Sequence, residues 1–167
     1  MLLTRATQRI LFICTANVCR SPLAEALLRH RLRERGLQRQ IAVASAGTRV
    51  GQVGRKPDPR VLALCNQVGV SLRGIRARPV DLRVLARSSR ILVMEQRHVN
   101  DLAAQGVPDD LLARVQLLSA YLAPEDGTPV SAGIPDPYFA DREGFLVVCR
   151  QIDAAVLALA DVIAEGG

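Results

Sequence analysis

The chain has 167 residues, enough for one domain with a substantial core and small for two. Hydrophobic residues make up 49% of it, which excludes intrinsic disorder; aromatics make up only 3%, so the core must be built from Leu, Val, Ile and Ala. The net charge of +6 is almost wholly arginine, Lys56 being the one lysine. Such a balance reads first as solvated helix faces and second as attraction to anionic substrates. The arginines are spread out and lack interleaved stacking aromatics, so no nucleic acid partner is expected.

Met1 to Thr7 is short and has no long apolar stretch, so no signal peptide is expected, and with Gln8 it forms a short extension to a single domain over 1–167. Arg9 to Cys14 is an apolar run that predicts a buried strand. An amphipathic helix follows over Pro22 to Arg33, with Ser21 as N-cap, Pro22 in the first turn and Gly36 as the stop. Ile41 to Ala46 predicts a second strand ended by Gly47, and Pro59 to Val68 a second helix ended by Gly69. Arg90 to Met94 predicts a third strand, Gln96 to Ala104 a third helix, and Val115 to Leu118 a fourth strand. A loop rich in Pro, Gly and Asp covers Pro124 to Pro137. The last helix runs from about Arg142 to Ala164, with Asp141 placed to cap it. Alternating strands and helices imply a parallel sheet covered on both faces, with ligands bound beyond the carboxyl ends of the strands.

The four cysteines, Cys14, Cys19, Cys65 and Cys149, form no CxxC pair and no zinc spacing with His30 or His98, so no metal is expected. Both histidines read as surface or packing residues. No apolar run is long enough to span a bilayer, and free thiols fit a cytoplasmic, reducing compartment without membrane insertion. A cysteine ending a buried strand is usually a small core residue, and Cys65 and Cys149 on apolar helix faces read that way. Cys14 differs because of its neighbours in the chain. Cys14, Thr15, Ala16, Asn17, Val18, Cys19 and Arg20 join the first strand to the first helix, with Ser21-Pro22 next in line. Backbone amides in such a turn can form an anion-binding nest, and the helix end adds positive potential. A thiolate is stabilised there, the Arg20 fork can bind two oxygens of one phosphate, and Ser21 can donate to the sulfur.

Two further readings stay open on the residues alone. Asp136, between Pro135 and Pro137, is either a general acid or an ordinary turn aspartate. Tyr138 either anchors its loop in the core or lines a cleft wall against a substrate ring, and Phe139 is undecided.

With these residues in view, the chain resembles the low-molecular-weight protein-tyrosine phosphatases. Cys14 to Pro22 is similar to that family's phosphate loop, Ser45 to Thr48 to its second-strand motif, Ile91 to Glu95 to its third strand, and Asp136-Pro137-Tyr138 to its acid loop. The resemblance spans about Arg9 to Ile163. It implies a three-layer sandwich of the flavodoxin-like type, with a four-stranded parallel sheet in order 2-1-3-4. It also implies Cys14 as nucleophile, Arg20 as clamp, Asp136 as acid and Tyr138 as wall, with no cofactor. Thr15 to Cys19 and Ser21 would hold the phosphate or a sulfate ion, with Asn17 bracing the loop, together with Ser45. Cys19 would be able to form a protective disulfide with Cys14. Met94 to His98 and Ile134 to Tyr138 look like the bacterial capsule and exopolysaccharide branch. That likeness implies a phosphotyrosine protein as substrate, such as the tyrosine-rich tail of a membrane kinase. Arg49-Val50-Gly51 departs from the family, which often has an aromatic residue here; a basic rim at Arg49 would suit acidic phosphopeptides. An arsenate reductase of the same fold is the alternative, but Pro79 to Arg90 contains none of the cysteines it would need. A phosphate-binding module without turnover would need neither Cys14 nor Asp136.

Overall fold

The computed structural model describes residues 8–123 and 132–166. Four strands, β1 (Gln8–Cys14), β2 (Ile41–Gly47), β3 (Arg90–Val93) and β4 (Val115–Leu117), form one parallel sheet in the order β2-β1-β3-β4. The helices are α1 (Arg20–Glu34), α2 (Pro59–Gln67), α3 (Leu82–Ala86), α4 (Gln96–Ala104), α5 (Asp109–Leu112) and α6 (Arg142–Ala164), with a 3-10 turn at Leu118–Tyr121. The expected α/β sandwich and strand order are both present.

The alternation of β1 decides which helices cover which face. Ile10, Phe12 and Cys14 point into a core shared with α1, α2 and α6, whereas Leu11 and Ile13 point into a second core with Leu85, Leu102 and Leu111 of α3, α4 and α5. Both faces of the central strand are therefore dry, as a parallel sheet requires.

The start of α1 and two short helices differ from the sequence reading, and other element ends differ by one residue. Helix α1 begins at Arg20, so its N-cap is Cys19, without a side-chain cap, and Ser21 lies inside the first turn. The Ser21 hydroxyl is unavailable for capping because it bonds to Cys14 and Asn17 within the loop that precedes the helix. The short helices α3 and α5 are not expected from the sequence; at five and four residues they are too brief to show a periodicity. Asp141 caps α6 as expected, through the Gly144 amide at 2.8 Å, and Asp58 caps α2 through the Arg60 amide at 2.8 Å. The extension Met1 to Thr7, and the stretch 124–131 with Asp126, lie outside the described residues.

Two glycines bring loops against the strand ends. A Cβ on Gly47 would stand 2.5 Å from the Thr15 carbonyl oxygen, and one on Gly133 would stand 2.5 Å from that of Met94. The loop after β2 and the loop carrying Asp136 can thus sit closely on the carboxyl edge of the sheet.

Candidate active site

Cys14 ends β1 and Arg20 opens α1, so the loop between them lies at the carboxyl edge of the sheet. Asn17 takes φ 55°, a left-handed conformation that Asn tolerates better than most residues. Its side chain secures that turn. Asn17 Oδ1 accepts from the Arg78 amide at 3.0 Å, while Nδ2 donates to Ser21 Oγ at 2.8 Å and to Ser45 Oγ at 2.9 Å. Ser45 in turn donates to Glu25, a fully buried carboxyl paired with Arg29. Burial raises the Glu25 pKa, and the bonds from Ser45 and Arg29 oppose that rise. Ser21 Oγ lies 3.0 Å from Cys14 Sγ. Because Ser21 accepts from Asn17, its own proton can be donated to the sulfur or to the Ala46 carbonyl at 3.4 Å.

The rest of the loop is tied down through its backbone. Val18 offers its carbonyl to the Asp58 amide at 2.7 Å, and Cys14 and Thr15 offer theirs to Thr48 and Arg49 at 3.0 and 2.9 Å. Thr15 and Ala16 are half-buried; Asn17, Val18, Cys19 and Ser21 are buried. Cys19 carries a thiol whose pKa is pushed far up, first by burial and then by the Asp58 carboxylate.

Arg20 is 1% exposed, and its Nη1 donates to Glu95 Oε1 at 2.5 Å and to the Ile134 carbonyl at 2.9 Å. Its Nη2 lies 3.5 Å from both Thr15 Oγ1 and Asp136 Oδ2. The structure therefore brings Cys14, Arg20 and Asp136 to one edge through a single buried cation. Asp136 also stands 3.5 Å from Arg97 and accepts from the Tyr138 amide at 3.1 Å. Tyr138 is 45% exposed and meets the 96%-exposed Phe139 edge to face. Exposure at this level rules out the core-anchor reading of Tyr138.

Several residues here have no role assigned from sequence. Glu95, Arg97, His98 and Asp101 all lie on or just before α4. Burial works to raise the Glu95 pKa, but Arg20 and Arg97 overcome it and hold the carboxylate below its usual range. His98 is completely buried, with bonds to Glu95 and Thr15, which corrects the surface reading and gives the packed residue specific partners. Asp101 accepts from Thr48 Oγ1 at 2.9 Å and Arg49 Nη2 at 2.6 Å. The Arg49 charge is thus already paired, which weakens the idea of a free basic rim. Arg60 pairs with Asp58 and reaches the Tyr138 carbonyl at 3.3 Å, linking the two loops from the other side. The signal for Glu95 is its position just beyond β3, the same edge as Cys14; the α4 bonds carry no local signature. His30 pairs with Glu34 near the end of α1, away from this network.

Comparison with known proteins agrees with this geometry. The family model described as low molecular weight phosphotyrosine protein phosphatase matches residues 9–166. The chain is 32% identical to a low molecular weight protein-tyrosine-phosphatase of Streptomyces coelicolor, over 95% of each chain. The structure is similar to that of YfkJ from Bacillus subtilis, with a TM-score of 0.85, 27% identity and coverage of 96% and 97% of the two chains. It is also similar to the tyrosine phosphatase Wzb from Escherichia coli K30, solved with sulphate, with a TM-score of 0.77, 27% identity and coverage of 93% and 98%. The thiol, the buried guanidinium and the carboxylate gathered at this edge therefore sit in a chain that belongs to the low molecular weight protein-tyrosine phosphatase family.

Proposed function

We propose that this protein hydrolyses phosphotyrosine in proteins through a phosphocysteine at Cys14. The observation that carries the reading is the position of Arg20, whose outer nitrogen faces Thr15 of the nucleophile's loop and the Asp136 carboxylate. In the first step the Cys14 thiolate attacks phosphorus in line; the S–P bond forms as the bond to the phenolic oxygen breaks. Arg20 and the loop amides from Thr15 to Ser21 stabilise the equatorial oxygens. Asp136 gives its proton to the departing phenolate. In the second step water attacks phosphorus and Asp136 takes its proton; the S–P bond breaks, releasing inorganic phosphate and the thiolate. Ser21, 3.0 Å from Cys14 Sγ, favours that departure by donating to the sulfur.

Tyr138 forms a wall for the substrate ring, and a phenolate, with a parent pKa about 10, leaves far more easily than an alkoxide. The partner we favour is the tyrosine-rich tail of an autophosphorylated membrane kinase in exopolysaccharide production, supported by the Met94–His98 likeness and the similarity to Wzb. A thiol relay of the arsenate reductase kind is disfavoured, because burial raises the pKa of Cys65 to about 11 and that of Cys149 to about 12. The test is turnover of an aryl phosphate by the wild type, Cys14→Ser and Asp136→Ala proteins. Loss of turnover in Cys14→Ser and a strong reduction in Asp136→Ala are expected; hydrolysis surviving in Cys14→Ser overturns the mechanism.

A further inference from the structure

His98 takes no part in either chemical step, yet it is wholly buried, and each ring nitrogen has a partner. The Glu95 amide lies 3.1 Å from Nδ1. A backbone amide can only donate, so Nδ1 is the unprotonated acceptor. The ring proton therefore sits on Nε2, which donates to Thr15 Oγ1 at 2.9 Å. The ring is neutral near pH 7: burial, and next the charge of Arg20, push its pKa down to about 4. Glu95, Arg97 and Asp101 are the other charged groups that act on it. Protonation would set an N–H against the Glu95 N–H and break the arrangement.

Thr15 Oγ1 also faces Arg20 Nη2 at 3.5 Å, and a guanidinium, too, can only donate. Both acceptor positions of the hydroxyl are thus directed at donors, leaving its own proton to be donated elsewhere. Among the described residues, its hydrogen-bond partners are these two donors. Thr15 adjoins Cys14 directly and is half-buried in the loop.

We propose that His98 is a positioning residue that fixes the Thr15 hydroxyl as a hydrogen-bond donor to an oxygen of the phosphoryl group bound in the Cys14–Arg20 loop. The kinetic side of this inference rests on the phosphatase reading; the anion-binding side does not. A fixed donor has no alternative orientation to lose on binding, and a bond to a charged oxygen is worth roughly ten- to a hundredfold in affinity.

The test uses Thr15→Val and two His98 variants that separate the ring's duties. His98→Asn keeps an acceptor near Nδ1 but no donor at Nε2; His98→Gln keeps a donor near Nε2. Inorganic phosphate binding is measured by calorimetry, alongside kcat and KM for an aryl phosphate and the melting temperature. Thr15→Val and His98→Asn are each expected to weaken phosphate binding about tenfold, with no further loss in the double variant. His98→Gln is expected to stay within about threefold of wild type, whatever its melting temperature. Nitrogen NMR of the unaltered protein, which needs no variant to fold, should show His98 protonated on Nε2 at pH 7. The inference is overturned by equal phosphate affinity in the two His98 variants, by unchanged affinity in Thr15→Val, or by a proton on Nδ1. If phosphate affinity responds as expected but no aryl phosphate is turned over, the phosphatase reading fails and the positioning role stands. Turnover through Cys14 with phosphate affinity indifferent to Thr15 gives the reverse.

Discussion

Arg20 and Glu95 are 75 residues apart in sequence, and their side chains meet at 2.5 Å. The contact joins the start of α1 to the residue just after β3, so the cation's direction is set by the sheet itself. Glu95 also caps α4 through a reciprocal capping box with His98.

Removing Glu95 should therefore misdirect the clamp. Breaking one side of a largely buried pair costs about 3–5 kcal/mol. Glu95 is partly open, with 27% of its side chain exposed, so Glu95→Ala is expected to lose about 2 kcal/mol of stability and, with Arg20 misdirected, to lower kcat/KM. Glu95→Gln, which keeps an acceptor, should fall between wild type and Glu95→Ala. Steady-state kinetics with an aryl phosphate decides it, and equal rates for all three proteins would remove Glu95 from the mechanism.

Asp136 stands between Arg20 and Arg97, both at 3.5 Å. If it protonates the leaving group, Asp136→Ala should lose most on phenols of high pKa and least on phenols that leave unaided. A series of substituted phenyl phosphates should give a steeper dependence of log kcat on phenol pKa in the variant. Arg97→Ala should show a weaker form of the same steepening, because it frees the acid from one of its two guides. Parallel lines for wild type and Asp136→Ala would assign the acid elsewhere.

His98 gives stability a defined pH dependence. Its pKa drops from an ordinary 6.5 to about 4 on folding. Between those values the unfolded chain binds a proton that the folded chain does not, so stability is full above about 6.5 and declines as pH falls toward 4. The ceiling of this effect is about 3 kcal/mol. Glu95, Asp58 and Asp101, all held below their ordinary values, carry the same trend into more acidic solution. Glu25, raised by burial, opposes it. Urea midpoints measured from pH 7 to pH 5 should fall in the wild type and flatten in His98→Gln; an equal slope in both would exonerate His98.

Mild peroxide should oxidise Cys14 to a sulfenic acid; the Cys19 sulfur then attacks the Cys14 sulfur, the S–O bond breaks with loss of water, and the disulfide forms. Burial and the Asp58 charge disfavour the Cys19 thiolate, so the second step should be slow relative to the first and should quicken in Asp58→Asn. Mass spectrometry of peptides sampled over time separates the two species. Sulfinic acid at Cys14 without any Cys14–Cys19 disulfide would refute the protective role.

What the sequence reveals depends on how local each cause is. The limits of α4 and α6, the parallel sheet and the Cys14–Arg20 loop are legible from periodicity, caps and one compact motif, and the strand order from the family resemblance. Ser21 reads as a cap because hydroxyls favour N-caps, but its oxygen is engaged by Cys14 and Asn17 instead. Glu95 with His98, and Asp58 with Arg60, make local cap bonds that read only as helix ends, while their contacts with Arg20, Thr15 and Tyr138 come from distant segments and leave no trace in the sequence. Arg49 misleads for the converse reason: its charge is visible and its partner Asp101, 52 residues on, is not.

The tight seat of Gly133 on Met94 has a practical consequence. The hydrogen in place of a side chain sets how near the Asp136 segment can come, since an added methyl carbon would stand 2.5 Å from a main-chain oxygen. Gly133→Ala should therefore lift that segment, and with it the Ile134 carbonyl that accepts from Arg20, while leaving the thiol and its loop amides in place. Such a protein would transfer the phosphoryl group of phenols of low pKa to Cys14, but with Asp136 withdrawn it would protonate a tyrosine leaving group poorly and cleave phosphotyrosine slowly. One carbon atom would thus slow the cleavage step, so that bound substrate stays intact longer on the protein.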